Sequence, residues 1–121
     1  MFLGVAAGDG PADIDYITSK VGEVRVFPDD EGRMNRSVRD IGGALLVISQ
    51  YTLLGDVRKG RRPAFDAAER PELAEALYED VVRRLRQTGV QVETGQFRAH
   101  MVIDVVNDGP VTILLDSRRG F

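Results

Sequence analysis

The chain has no cysteine and one histidine, His100, among its 121 residues. Without a thiol there is no disulfide, no thiolate nucleophile and no Cys-based metal site, and one imidazole cannot build a His-rich metal centre. The 19 acidic residues lie among 16 basic ones and show no metal-ligand spacing, so neither a metal nor any other cofactor is expected. No segment approaches the ~18 consecutive apolar residues that a membrane span needs. The first residues, "MFLGVAAGDG", lack the basic region and the length of a signal peptide. These absences lead to the expectation of a cytoplasmic protein with no membrane partner.

With 43% hydrophobic and 29% charged residues, the composition is that of an ordinary globular protein, and the length fits one domain over residues 1–121. A chain of this size buries roughly two-thirds of its unfolded surface, enough for one core. The net charge of -3 means that a nucleic-acid partner has to be held by a local basic patch against the global charge.

Along the chain, "FLGVA" reads as a short strand. "GPADIDYITSKVGE" reads as a helix, with Pro11 and two aspartates in its first turns and Ile14, Ile17 and Val21 at helical spacing. "VRVF" at 24–27 reads as a strand before the turn-rich "PDDEGRMN". Asp40 to Gly43 make a second break, and Ala44 to Thr52 form a strand that starts apolar, as a buried strand does, and ends in the polar "SQYT". From Pro71 to Arg86, Leu73, Leu77, Val81 and Leu85 recur every fourth residue, with Ala74 and Val82 widening the stripe; this is a helix that Gly89 stops. "VQVET", "FRAHMVIDVV" and "PVTILLD" read as three further strands joined by Gly95 and "NDG". In the second of them Phe97, Ala99, Met101, Ile103 and Val105 alternate with more polar neighbours. The expected fold is α+β: two main helices and a mostly antiparallel sheet that curls toward a barrel.

Four features carry possible chemistry, and each has a plain structural reading beside the functional one. "SQYTL", Ser49 to Leu53, is either a strand leaving the core for a turn or the mouth of a pocket, where Ser49, Gln50 and Thr52 offer hydrogen-bonding groups and the backbone N–H groups face a developing oxyanion. A serine or threonine nucleophile needs a base, and one histidine gives no triad signature. "NDGPVT", Asn107 to Thr112, has the composition of a tight turn, in which the X-Pro bond favours trans on statistics alone. "VRKGRRP" gathers Arg58, Lys59, Arg61 and Arg62 either as a solvated loop or as a phosphate-binding patch. His100, on the strand face opposite Met101, reads as a surface residue.

In their order and separation, "SQYTL", "KGRRP" and "NDGPVT" resemble the D-aminoacyl-tRNA deacylase family, whose signatures are Ser-Gln-(aromatic)-Thr-Leu and Asn-x-Gly-Pro-(apolar)-Thr. The likeness continues through "LGVAAGD", "DYITSKV", "RVFPDDEGRMNRSVRDIGGALLVISQYTL", "GDVRKGRRPAF", "AEALYEDVVRRLRQTGVQVETGQF" and "NDGPVTILLDS", roughly residues 2 to 117. It implies hydrolysis of the ester that joins a D-amino acid, or mischarged glycine, to tRNA, and so a chirality-based proofreading step in translation. It also implies a homodimer in which a cis Gly109-Pro110 of one subunit enters the pocket around SQYTL of the other. Ser49, Gln50, Tyr51, Thr52, Gly109 and Pro110 become the expected catalytic residues. Arg58, Lys59, Arg61, Arg62, Met101, Asn107 and Thr112 become the expected substrate- and RNA-binding ones. An aminoacyl ester is already activated, so a positioned water and a stabilised oxyanion suffice without a protein nucleophile. The family carries an N-terminal β-hairpin, with an arginine bracing the Gly-Pro loop, that has no counterpart here. The alternative expectation is therefore an inactive shortened relative that serves as a dimeric RNA- or protein-binding module.

Overall fold

A computed structural model describes all 121 residues. Its elements, in chain order, are β1 (Phe2–Leu3), α1 (Pro11–Glu23), β2 (Phe27–Pro28), β3 (Met34–Arg36), β4 (Ala44–Ser49), a single 3-10 turn (Tyr51–Leu54), α2 (Pro71–Gln87) and β5 (Gln91–Thr94). The α+β class and the two helices are as expected, with α1 and α2 within a residue of their sequence-derived bounds. Pro11 opens α1, where its missing N–H costs nothing, and the Asp13 carboxylate accepts the Gly10 N–H at 2.9 Å. Gly89, at φ +88°, ends the chain's run out of α2.

The strand pairing differs from expectation. β1, β4 and β5 form an open sheet in the order β1-β4-β5, parallel at both ladders, and the antiparallel pairing is confined to the small β2–β3 ribbon and two isolated bridges. The connection decides this: α2 carries the chain from the end of β4 back to the start of β5, and such a crossover delivers a parallel neighbour. Strand composition holds no record of that direction.

"FRAHMVIDVV" and "PVTILLD" join no sheet. Their sequence has the strand period, but a strand needs a neighbour for its N–H and C=O groups, and no edge of this chain lies beside them. The alternation survives in burial alone: Phe97, Ala99, Met101 and Ile103 are half-buried between exposed Arg98, His100, Val102 and Asp104, and it ends at exposed Val105. "VRVF" likewise contributes Phe27 alone to a ladder, because Val24 is spent closing α1 with its N–H on the Lys20 carbonyl.

The core lies between α2, α1 and one face of the parallel sheet. Its buried members are Leu3, Ile14, Val21, Val38, Val47, Tyr78, Val81, Val82, Leu85, Val90 and Val92. Two expectations shift here. The buried stripe of α2 is Ala74, Tyr78, Val81, Val82 and Leu85, while Leu73 faces solvent. Tyr78 enters because its hydroxyl donates to the Val47 carbonyl at 2.8 Å, which lets a polar-tipped ring lie in the core. Within β4 only Val47 and Ile48 are buried, one on each face, and Leu46 is exposed although it shares a face with Ile48. The two helices are tied on their outer side by Arg84, which pairs with Asp15 of α1 and Asp80 of α2.

Candidate functional site

β4 stops at Ser49, not at the expected Thr52, because the chain then tightens into the 3-10 turn Tyr51–Leu54. The Gln50 N–H is held by the Leu3 carbonyl at 2.8 Å, so the last rung of the β1–β4 pairing fixes where the turn begins. Tyr51 and Thr52 are the first two residues of that turn, and N–H groups in that position have no acceptor inside it. The Gln50 side-chain amide donates to Thr52 Oγ1 at 3.0 Å, and the Tyr51 ring stands edge-on to Phe65 with centroids 5.0 Å apart. The polar end of this strand therefore holds three side chains and two backbone donors at the carboxyl end of a parallel sheet, where open α/β sheets place their ligands.

A groove of about 600 Å³ opens at this end. Ser49, Gln50, Tyr51 and Thr52 form one wall, Phe97, Ala99 and Met101 another, and Phe65 and the start of α2 at Arg70 and Pro71 complete it. Gly95 permits the second wall: a Cβ there would lie 2.6 Å from Met101 Sδ and 3.0 Å from Ile48 Cδ1. The carboxylate lining the groove, Glu69, accepts the Arg70 N–H at 2.8 Å and the Gly8 N–H at 3.2 Å. Those two backbone donors, the Arg70 amide first, hold its carboxyl below the usual range. A carboxylate so occupied is a poor general base. His100 is exposed and does not line the groove.

Of the sequence-derived candidates, Ser49, Gln50, Tyr51, Thr52 and Met101 thus meet in one place. The basic loop lies beyond it. Residues 56–64 are closed by paired backbone bonds between Asp56 and Ala64, at 2.8 and 2.9 Å. Arg58 is exposed but paired, donating to both Asp56 oxygens at 2.9 and 2.6 Å, and it pulls the Asp56 carboxyl down to about 2. Lys59, Arg61 and Arg62 remain exposed and unpaired, so three of the four cations are free for an anionic partner. Asn107 closes its own loop by accepting the Val111 N–H at 3.0 Å, Gly109-Pro110 is cis, and Gly109, Pro110 and Thr112 are all exposed, away from the groove of their own chain. Sequence reasoning missed Phe65, Arg70, Phe97 and Arg98. For Arg70 and Pro71, the helix start next to a polar strand end is the available signal; Phe97 and Arg98 sit in a turn where the alternation predicts a strand.

A second cavity, of about 780 Å³, lies at the opposite, amino end of β4 and β5. Two of its polar residues are spent on each other: the Asp40 carboxylate accepts the Ser37 N–H at 2.8 Å, and Ser37 Oγ accepts the Asp40 N–H at 3.1 Å.

The family model described as D-Tyr-tRNA(Tyr) deacylase matches residues 1–116. A D-aminoacyl-tRNA deacylase of Symbiobacterium thermophilum is 57% identical over 121 residues, covering 100% of this chain and 80% of its own. One of Clostridioides difficile is 54% identical, covering 100% and 81%. Among solved structures, the c-Myc DNA Unwinding Element Binding Protein superposes with a TM-score of 0.88 at 35% identity, over 95% of this chain and 78% of that one. A probable eukaryotic D-amino acid tRNA deacylase, at 22% identity and a TM-score of 0.54 over 74% of this chain and 53% of that one, shares the fold.

Proposed function

The chain belongs to the D-aminoacyl-tRNA deacylase family, and from that premise we propose that the groove at the carboxyl end of β4 is where it performs the family's reaction. The chain is an ester hydrolase acting on aminoacyl-tRNA, and it removes D-amino acids from tRNA. The observation that carries the location is that Tyr51 and Thr52, whose N–H groups have no acceptor in their own turn, line a groove opposite Phe97, Ala99 and Met101. A carbonyl oxygen seated on two such donors gains most as it becomes an oxyanion, which lowers the barrier without a covalent intermediate. Ser49 and Gln50 shape the adenosine and ester site, and the attacking water needs no strong base because the ester is activated.

The assembly is a homodimer. The support is the exposed apolar ribbon: Val102, Val106 and Leu114 are 88, 97 and 67% exposed beside the Asn107–Thr112 loop. In the dimer this ribbon finds its strand partners, the sheet continues its curl toward a barrel, and Gly109 and Pro110 enter the partner's groove. Their carbonyls take the substrate's α-amino group while the ester lies on the oxyanion site. A D side chain then points outward and an L side chain runs into the Gly-Pro wall, so rejection is steric. Glycine has no β-carbon, so glycyl-tRNA is also cleaved. Lys59, Arg61 and Arg62 hold tRNA phosphates, with Asn107, Met101 and Thr112 supporting the substrate. The one domain, residues 1–121, works in the cytoplasm, where aminoacyl-tRNA is used.

A deacylation time course on one tRNA charged in turn with D-tyrosine, L-tyrosine and glycine tests this. The expected result is cleavage of the first and third and none of the second. Equal rates for both tyrosine enantiomers would remove the carbonyl filter.

A further inference from the structure

The stretch Gln96-Phe97-Arg98-Ala99 reverses the chain between β5 and the apolar wall of the groove. The Ala99 N–H donates to the Gln96 carbonyl at 3.2 Å, and Arg98, third of the four, has φ +64°. A turn with positive φ at its third residue is the type II turn, which asks for glycine or asparagine there because an L side chain crowds its own backbone. Arginine is a poor choice for the fold, and the fold makes no use of it. The Arg98 guanidinium has no hydrogen bond and no ion pair within the chain, the residue is exposed, and it belongs to no part of the core.

Arg119 is the other non-glycine residue with positive φ, at +57°. Its N–H closes a turn on the Asp116 carbonyl at 3.0 Å, and its guanidinium lies over the Tyr16 ring, 5.8 Å from the centroid. One left-handed arginine is thus explained by its neighbours and the other is not. Arg98 differs in lining the groove. So does Arg70, which precedes the first residue of α2 and whose guanidinium is also unpaired. The α2 N-terminus adds its own partial positive charge on that side, and the groove's carboxylate is already committed to backbone N–H groups. Phe97, Ala99 and Met101, flanking Arg98, offer the flat apolar surface on which an unpaired base packs.

Resting on the proposed function, we infer that Arg98 is a positioning residue that grips a phosphate of the single-stranded 3′ end of the substrate, next to the nucleotide whose base packs on Phe97 and Met101. Local backbone strain at a binding site then trades conformational comfort for a guanidinium placed at the groove's lip. The ester is presented to Tyr51 and Thr52 by holding the chain one phosphate upstream.

Arg98→Gly and Arg98→Lys in the full chain separate this role from a structural one. Glycine suits the turn, so Arg98→Gly should melt at the wild-type temperature or about 2–4 °C above it. It should raise KM for D-tyrosyl-tRNA about tenfold with kcat within about twofold. The log–log salt slope of uncharged tRNA affinity should fall by about 0.7, the value for one single-strand phosphate contact. Arg98→Lys keeps the charge and the strained backbone, so it should keep the slope, gain no melting temperature and recover part of the KM loss. Unchanged KM and slope in Arg98→Gly would overturn the inference, and so would a melting point lowered by more than about 4 °C, which would make the side chain structural. The salt slope is read without turnover, so it judges Arg98 even if wild-type protein cleaves no D-tyrosyl ester; that result would count against the proposed function instead.

Discussion

Residues 44–49 and 101–106, "ALLVIS" and "MVIDVV", are both runs of branched apolar residues, and their fates are opposite. In the first, Val47 is fully buried and every residue has a ladder partner, Ala44 to Val47 on β5 and Ile48 and Ser49 on β1. In the second, Val102 and Val106 stand in the open and no ladder forms. The lesson is that apolar alternation marks a segment able to bury one face, whereas burial itself is decided by whether another element arrives beside it. For 44–49 the neighbours come from the same chain, through α2. For 101–106 the proposed dimer supplies them.

The sharpest way to break this contrast is to cut the same chemistry from each region. Leu85→Ala, at a fully buried position of α2 facing the first region, should lose about 2–5 kcal/mol of stability in urea or guanidinium unfolding. Val106→Ala should stay within about 0.5 kcal/mol of wild type at concentrations where the chain is monomeric. A comparable loss at Val106 would mean the ribbon is packed in the monomer. In the dimer the contrast should invert: Val106→Asp should weaken self-association about a hundredfold in sedimentation experiments, the scale of roughly 2.7 kcal/mol for a charge forced into an apolar interface.

Next in size is the buried anchor of the first region. Tyr78→Phe leaves the Val47 carbonyl without its side-chain donor and should cost about 1–1.5 kcal/mol in the same unfolding measurement, with no effect on tRNA affinity. At the groove, where β4 passes from ordered core to open rim, Thr52→Ala should slow deacylation no more than about tenfold, because the Oγ1 is taken to line the site and not to attack. Loss of several orders of magnitude, or an acyl-enzyme seen by intact mass, would make Thr52 the nucleophile.

The smallest effect lies in the basic loop. Arg58 depresses the Asp56 carboxyl to about 2, from an ordinary value of 3.8. The clamp is therefore complete above pH 3.8 and is lost as pH falls from there through about 2; it does not depend on pH near neutrality. The Asp56 carboxyl carbon followed by NMR should titrate near pH 2, and in Arg58→Ala higher but still below its ordinary value, because the backbone N–H of residue 58 continues to donate to Oδ1. An unshifted titration in the wild type would dissolve the distinction between the paired Arg58 and the free Lys59, Arg61 and Arg62.

What was legible in the sequence was local: α1 and α2 nearly to the residue, the start of the strand at Ala44 though not its end, the turn at Gly109-Pro110, and, through two signature motifs in register, the family. Those features are written in nearest-neighbour chemistry, in caps, in 3.6-residue spacing and in the switch from apolar to polar at a strand end. Tertiary structure alone decided which strands pair and in which direction, because a crossover helix sets direction while strand composition records only which face is apolar. It placed Tyr78 in the core by handing its hydroxyl a carbonyl thirty-one residues away in sequence. It paired Arg58 with Asp56 and left its neighbours free. And it brought Arg70 and Arg98, separated in the chain by α2 and β5, to one groove, since a guanidinium without a partner says nothing in sequence about where it will stand.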